Sequence, residues 1–151
     1  MFEELNGGPC RRFPTPIMAR ILLIDDDNDL RTILSQALAH AGHTVIEAHN
    51  GKEGLDLFRI AQVDLVITDI LMPEKAGFEV LVKLREKHRS MKVIAISGGG
   101  IHNASNCLVM AKLVGAARVL EKPFLNQTLF AAIDELLPSS GAAAQPTARE
   151  K

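Results

Sequence analysis

The chain has 151 residues, enough for one domain with excess at its ends and for a core that needs no disulfide. Its 17 Lys and Arg against 18 Asp and Glu leave a net charge of −1, which excludes a general field for nucleic acid or anionic membrane, and the absence of Trp and Tyr disfavours an aromatic stacking surface for single strands. Cys10 and Cys107 form no disulfide framework, no apolar run has the length of a membrane span, and the N-terminus lacks the apolar stretch of a signal peptide, so a cytoplasmic location is expected.

Residues 1–18, MFEELNGGPCRRFPTPIM, carry three prolines and two glycines without periodicity and read as an irregular arm. Met18, directly before ARILLID, is a second candidate start. The first apolar run, ILLI at 21–24, ends in three adjacent acids, Asp25, Asp26 and Asp27. Leu30, Ile33, Leu34, Ala37, Leu38 and Ala41 then recur at i, i+3, i+4, i+7, which predicts a helix with Gly42 at its C-terminal cap. HTVIEA (43–48) predicts the second strand, and Leu55 and Phe58 mark a shorter helix. DLVIT (64–68) predicts the third strand, closed by Asp69, and Val80, Leu81 and Leu84 mark the third helix. KVIAIS (92–97) predicts the fourth strand, ending in Ser97 and Gly98-Gly99-Gly100. A fourth helical pattern, 103–114, carries Leu108, Ala111 and Lys112 and stops at Gly115. ARVLE (117–121) predicts the fifth strand, running into Lys122-Pro123-Phe124. Leu129, Ala132, Ile133, Leu136 and Leu137 mark the fifth helix. From Pro138 the chain reads PSSGAAAQPTAREK, a small, polar tail expected to be disordered.

Five strands alternating with five helices predict a parallel sheet covered on both faces, which is why the strands are nearly continuous apolar runs. In open sheets of this kind the ligand site lies at the carboxyl ends of the strands, beside the reversal of strand order. At those ends stand Asp25 and Asp26, Asp69, Ser97 and Lys122. Adjacent carboxylates repel, and the cost grows as they leave water. Three converging acids suit a hard divalent cation such as magnesium, which prefers oxygen ligands and relieves the repulsion. An ammonium and a hydroxyl exceed what a metal needs, but Lys122 and Ser97 suit phosphoryl oxygens. Gly98 leaves room for a group to enter, and a carboxylate can attack phosphorus.

The set LLIDD, DLVITDILMP, IAISG and LEKPF, in that order and each at a strand end, resembles the response-regulator receiver domain of two-component signalling over about residues 19–137. The resemblance implies a flavodoxin-like (βα)5 fold, a doubly wound five-stranded sheet in the order 2-1-3-4-5. It implies Asp69 as phosphoacceptor, Asp26 as a direct ligand of Mg2+ (or Mn2+), Asp25 assisting through water or orientation, and the backbone carbonyl of Leu71 as a further ligand. Ser97 and Lys122 would hold the phosphoryl oxygens, and the Lys122–Pro123 bond would be cis. The donor implied is a sensor histidine kinase or a histidine phosphotransfer protein. Output would pass to a protein partner through the face built from the fourth helix, fifth strand and fifth helix, around Ile101, His102, Leu108, Val109, Met110, Arg118 and Leu125. No direct contact with nucleic acid or membrane is implied, and the chain is expected as a monomer or weak homodimer.

The sequence also departs from the family. Val119 stands where Tyr or Phe is frequent, three residues before the lysine, so this switch position lacks the usual ring. Leu71 and Gly99 occupy the two positions that tune the lifetime of the acyl phosphate. Neither can position a water, so slow self-dephosphorylation is expected. No helix-turn-helix or cyclase pattern follows the fifth helix.

Blander roles are expected elsewhere. Asp27 reads as a helix N-cap and Asp29 as a first-turn acid. The five histidines read as surface residues without metal-ligand spacing, and Cys107 as packing. Two other functions compete. One is a phosphorylation-independent adaptor that kept the fold. The other is a haloacid-dehalogenase-like phosphatase, since Asp25 and Asp27 form a D-x-D.

Overall fold

A computed structural model describes residues 18–70, 76–97, 111–112 and 114–137. Residues 1–17 of the arm, the tail from Pro138, Leu71, Gly98-Gly99-Gly100 and most of the fourth helical pattern, Cys107 and Leu108 included, lie outside the described residues. In chain order the elements are β1 (Arg20–Ile24), α1 (Asn28–His40), β2 (Thr44–Ala48), α2 (Gly51–Ile60), β3 (Leu65–Asp69), α3 (Ala76–Lys87), β4 (Lys92–Ser97), β5 (Arg118–Glu121) and α4 (Asn126–Leu136). Ala111, Lys112 and Val114, within the fourth pattern, are also helical.

The strands pair in parallel in the order β2-β1-β3-β4-β5, as expected. Strand side chains alternate between faces, and the sheet sorts them accordingly. Leu22, Ile24, Val66, Val93 and Ala95 join Val80, Leu81 and Leu84 of α3, with Leu55 and Phe58 of α2 packed alongside. Ile21, Leu23, Leu65, Ile67, Ile94 and Ile96 join Leu34 and Leu38 of α1 and Leu129, Ala132 and Ile133 of α4. Each fully buried Leu or Ile stabilises by roughly 2 kcal/mol, so the three central strands anchor the domain. Helical Ala111 and Val114 pack on the α2–α3 face as well, and the helices that cover the two faces leave the carboxyl edge of the sheet to the loops.

Both predicted glycine caps hold. After α1, Gly42 N–H donates to Ala39 O and His43 N–H to Leu38 O; before β5, Gly115 N–H donates to Lys112 O and Ala116 N–H to Ala111 O. This is the Schellman pattern, and it needs the positive φ that Gly42 (104°) and Gly115 (126°) adopt. Two expectations fail. Ile33 is 56% exposed, lying off the buried stripe of Leu34 and Leu38. His43 is half-buried instead of on the surface, because its Nδ1 accepts the Ala19 N–H at 3.2 Å. Burial lowers the His43 pKa, and the charge of Asp134 opposes that shift.

Candidate functional site

Strand order reverses between β1 and β3: from β1 the sheet runs to β2 on one side and to β3 on the other. The carboxyl ends of these two strands therefore flank the crevice that the topology leaves open. Asp25 and Asp26 follow β1, and Asp69 ends β3. One ligand oxygen from each of the three lies within 4.8 Å of the others. Asp25 and Asp69 are buried, whereas Asp26 is exposed.

The β1–α1 loop is tightly braced. Asp25 N–H donates to Ala48 O at 3.1 Å, extending the β1–β2 ladder. Asp25 Oδ1 accepts the Asp27 N–H at 2.9 Å. Asp27 itself caps α1, its Oδ1 accepting from Asp29 N (3.1 Å) and Leu30 N (3.2 Å), and Asp29 lies in the first turn. The second acid of the D-x-D pattern thus serves the helix and is not in the three-acid group.

Lys122 supplies the opposing charge. Its Nζ lies 2.7 Å from Asp69 Oδ2 and 3.6 Å from Asp25 Oδ2. The backbone aims it there: Lys122 N–H donates to Ser97 O at 2.7 Å, tying the exit of β5 to that of β4, and the Lys122–Pro123 peptide is cis. On the other side Ile70 N–H donates to Ile96 O at 2.8 Å, fixing the exit of β3.

Ser97 closes the site. It is fully buried, and its Oγ finds no hydrogen-bond partner among the described residues. A buried hydroxyl left unpaired costs about 1–3 kcal/mol, a debt that an incoming oxygen ligand would cancel.

Electrostatics set the character of the crevice. Burial pushes the Asp25 carboxyl up to about 6; the Asp27 N–H opposes this, Asp69 and Asp26 reinforce it, and Lys122 opposes it. Burial alone would lower the Lys122 ammonium, but the hydrogen bond and charge of Asp69, then Asp25 and Asp27, outweigh it and raise its pKa. Three acids against one ammonium leave the cluster short of positive charge. The donor set is all oxygen, matching a small hard divalent cation, so the residues fit Mg2+.

Two residues that sequence reasoning passed over shape this site. A Cβ on Gly77 would overlap the backbone oxygen of Asp69 and sit 2.6 Å from Ile70 Cα, so the start of α3 approaches the exit of β3 as only glycine permits. Its signal was an isolated glycine inside an apolar helical pattern. Arg31 donates from Nη1 to Asp25 O at 2.7 Å. Its signal was a cation near a helix N-terminus, where the dipole disfavours one.

Of the remaining expected site residues, Leu71 and Gly98 lie outside the described residues. Val119 pairs in register with Ala95 and packs, half-buried, against the α2–α3 side of the core. On the expected output face, Ile101, His102, Leu108, Val109 and Met110 lie outside the described residues. Arg118 pairs with Glu135 at 2.8 Å, and Leu125 is 69% exposed.

A (βα)5 sheet with acids at the β1 and β3 exits and a lysine at the β5 exit defines a class of phosphoryl-accepting signalling domain, and comparison with known proteins agrees. Residues 21–134 match the model of the response regulator receiver domain, and the chain belongs to that family. It is 35% identical over 123 residues to the transcriptional regulatory protein CpxR of Escherichia coli K12, covering 82% of this chain and 51% of that protein. It is 33% identical to the DNA-binding transcriptional regulator NtrC of Azospirillum brasilense, covering 81% of this chain and 25% of that one. The chain thus spans about half the length, or less, of these relatives. Among solved structures it resembles the response regulator TrrA of Thermotoga maritima in complex with Mg2+ and BeF (TM-score 0.70, 32% identity, covering 80% of this chain and all of that one). A receiver domain protein from Clostridium thermocellum matches with a TM-score of 0.73 at 31% identity, covering 80% of this chain and 94% of that one. Receiver domains are signalling domains that histidine kinases phosphorylate and that bind Mg2+ at an acidic cluster. No described helix is long and apolar enough to cross a membrane.

Proposed function

We propose that Asp69 accepts a phosphoryl group from the phosphohistidine of a sensor histidine kinase or a histidine phosphotransfer protein. The observation that carries this reading is the 2.7 Å contact of Asp69 Oδ2 with Lys122 Nζ beside two further acids at the strand-order reversal. In the step, a carboxylate oxygen bonds to phosphorus as the phosphorus–nitrogen bond of the donor breaks, the imidazole nitrogen keeping the electron pair. Lys122 moves from the carboxylate to a phosphoryl oxygen, and the buried Ser97 hydroxyl donates to another. Held by Asp26 and Asp69, with Asp25 orienting it and the Leu71 carbonyl as a further ligand, Mg2+ (or Mn2+) would offset the charge of the phosphoryl oxygens.

The domain so defined runs over 19–137, with 1–18 as an arm and 138–151 as a tail, and acts in the cytoplasm. It contributes to its own phosphorylation and dephosphorylation. Output passes to a protein partner beside Arg118 and Leu125, with the chain as a monomer or weak homodimer. With Leu71 and Gly99 at the lifetime-tuning positions, the phospho-form decays over minutes or longer. Phosphotransfer from radiolabelled candidate kinases, followed by removal of the kinase, tests both statements. Label on wild type but not on Asp69→Asn, with slow decay, is the expected result. A half-life of seconds contradicts the slow decay, and label on Asp69→Asn contradicts the acceptor.

One observation favours a second reading, a phosphorylation-independent adaptor: Val119 puts a small side chain where an aromatic switch would sit. Beryllofluoride with Mg2+ separates the two, because an adaptor's amide spectrum would not respond in the fourth helical pattern or the Gly98-Gly99-Gly100 loop.

A further inference from the structure

Arg31 bridges three parts of the chain beside the acids, and no step above uses it. Its guanidinium makes three hydrogen bonds. Nη1 donates to Asp25 O at 2.7 Å, Nη2 to Asn28 Oδ1 at 2.7 Å, and Nε to Glu47 Oε1 at 3.2 Å. Its backbone N–H donates to Asp27 O at 2.9 Å. The side chain is only 14% exposed, and of its contacts the one to the Asp25 carbonyl is the most sheltered from solvent. One residue thus joins α1, the acid loop and β2. The charges that act on the Asp25 carboxyl are those of Asp69, Lys122 and Asp26. Arg31 instead holds the backbone carbonyl of the same residue. A peptide unit is planar, so fixing that carbonyl fixes the plane shared with Asp26 and the directions from which both side chains leave the chain.

We propose that Arg31 is a positioning residue for the divalent cation, acting through the Asp25–Asp26 peptide and not by touching metal or phosphoryl group. The inference rests on the receiver reading of the acidic cluster. Groups that orient metal ligands typically change affinity by tenfold or more when removed. Lysine keeps the charge but not the planar fork, so it restores only part of the arrangement.

Isothermal titration of Mg2+ into metal-free protein tests this, with thermal unfolding in EDTA as a separate measure of the fold. Arg31→Met is expected to raise the Mg2+ dissociation constant about tenfold. Arg31→Lys should fall between the two, and Glu47→Gln, which weakens one anchor of the guanidinium, should give a smaller rise. Labelling by acetyl phosphate should slow in Arg31→Met at low Mg2+ and recover as Mg2+ saturates. A dissociation constant unchanged in folded Arg31→Met and Arg31→Lys overturns the proposal, as does a slowed labelling that saturating Mg2+ leaves slow. If Arg31→Met does not fold, the Lys and Glu47→Gln variants decide by the same criterion. Wild type that neither binds Mg2+ nor takes label overturns the receiver reading and this proposal together, whereas wild type that does both isolates Arg31.

Discussion

Two strand exits at the same edge of the sheet are built in opposite ways. At the exit of β1, Asp25 has its N–H on Ala48, its carbonyl on Arg31, one carboxyl oxygen on the Asp27 N–H and the other 3.6 Å from Lys122. At the exit of β4, the Ser97 hydroxyl is as deeply buried and has no partner among the described residues. On the proposed reading, the difference separates two tasks. Acids that are to hold a cation must be set in advance, since their mutual repulsion would otherwise scatter them. A hydroxyl that is to meet a transferred group must keep its donor uncommitted until the group arrives.

The sharpest way to break this contrast is at Gly77. Gly77→Ala places a carbon against the Asp69 and Ile70 backbone, where no flexible side-chain end can yield. A loss of about 3 kcal/mol is expected by denaturant unfolding, with weakened Mg2+ binding. Lys122→Ala should cost about 2 kcal/mol at neutral pH, since it leaves the buried Asp25 and Asp69 without their ammonium. Mg2+ should recover part of that loss, and a variant as stable as wild type in EDTA would show that the acids do not repel.

Acid offers a third test. The Asp25 carboxyl is raised to about 6 from an ordinary 3.8, so the folded chain binds this proton more tightly than the unfolded one. Stability in EDTA should therefore fall, by on the order of 2 kcal/mol from this group, as pH rises from 4 through 6. Asp25→Asn should lose that share of the slope, and Mg2+ affinity of wild type should rise over the same range. A slope unaltered by Asp25→Asn would contradict the burial argument. Asp27→Ala removes a cap worth about 1 kcal/mol from the braced side. Ser97→Ala, on the other side, should raise stability by about 1 kcal/mol, because it removes a buried hydroxyl that has no partner among the described residues. Beryllofluoride affinity should nevertheless fall. A large stability loss in Ser97→Ala would mean that the hydroxyl is already bonded, and the contrast would collapse.

The sequence made the layering legible because apolar period is a direct record of burial. The apolar residues of ILLI, DLVIT and KVIAIS are buried, as strands in a sheet covered on both faces must be. The site was legible because its charges stand at strand ends, where a parallel sheet brings distant residues together. Arg31 and Gly77 were not legible in the same way. The guanidinium acts on a backbone carbonyl in the loop just before its own helix, and the glycine matters through the distance between two backbones, and neither leaves a periodic trace. His43 was misread for a related reason: nothing local announces that the Ala19 N–H lies across from it.

The central claim is that Asp69 takes the phosphoryl group beside a metal held by its neighbours. Intact-mass measurement after incubation with acetyl phosphate and Mg2+ tests it directly. Wild type should gain the mass of one phosphoryl group, Asp69→Asn none, and wild type in EDTA none. Equal labelling of Asp69→Asn, or labelling indifferent to Mg2+, would contradict the account.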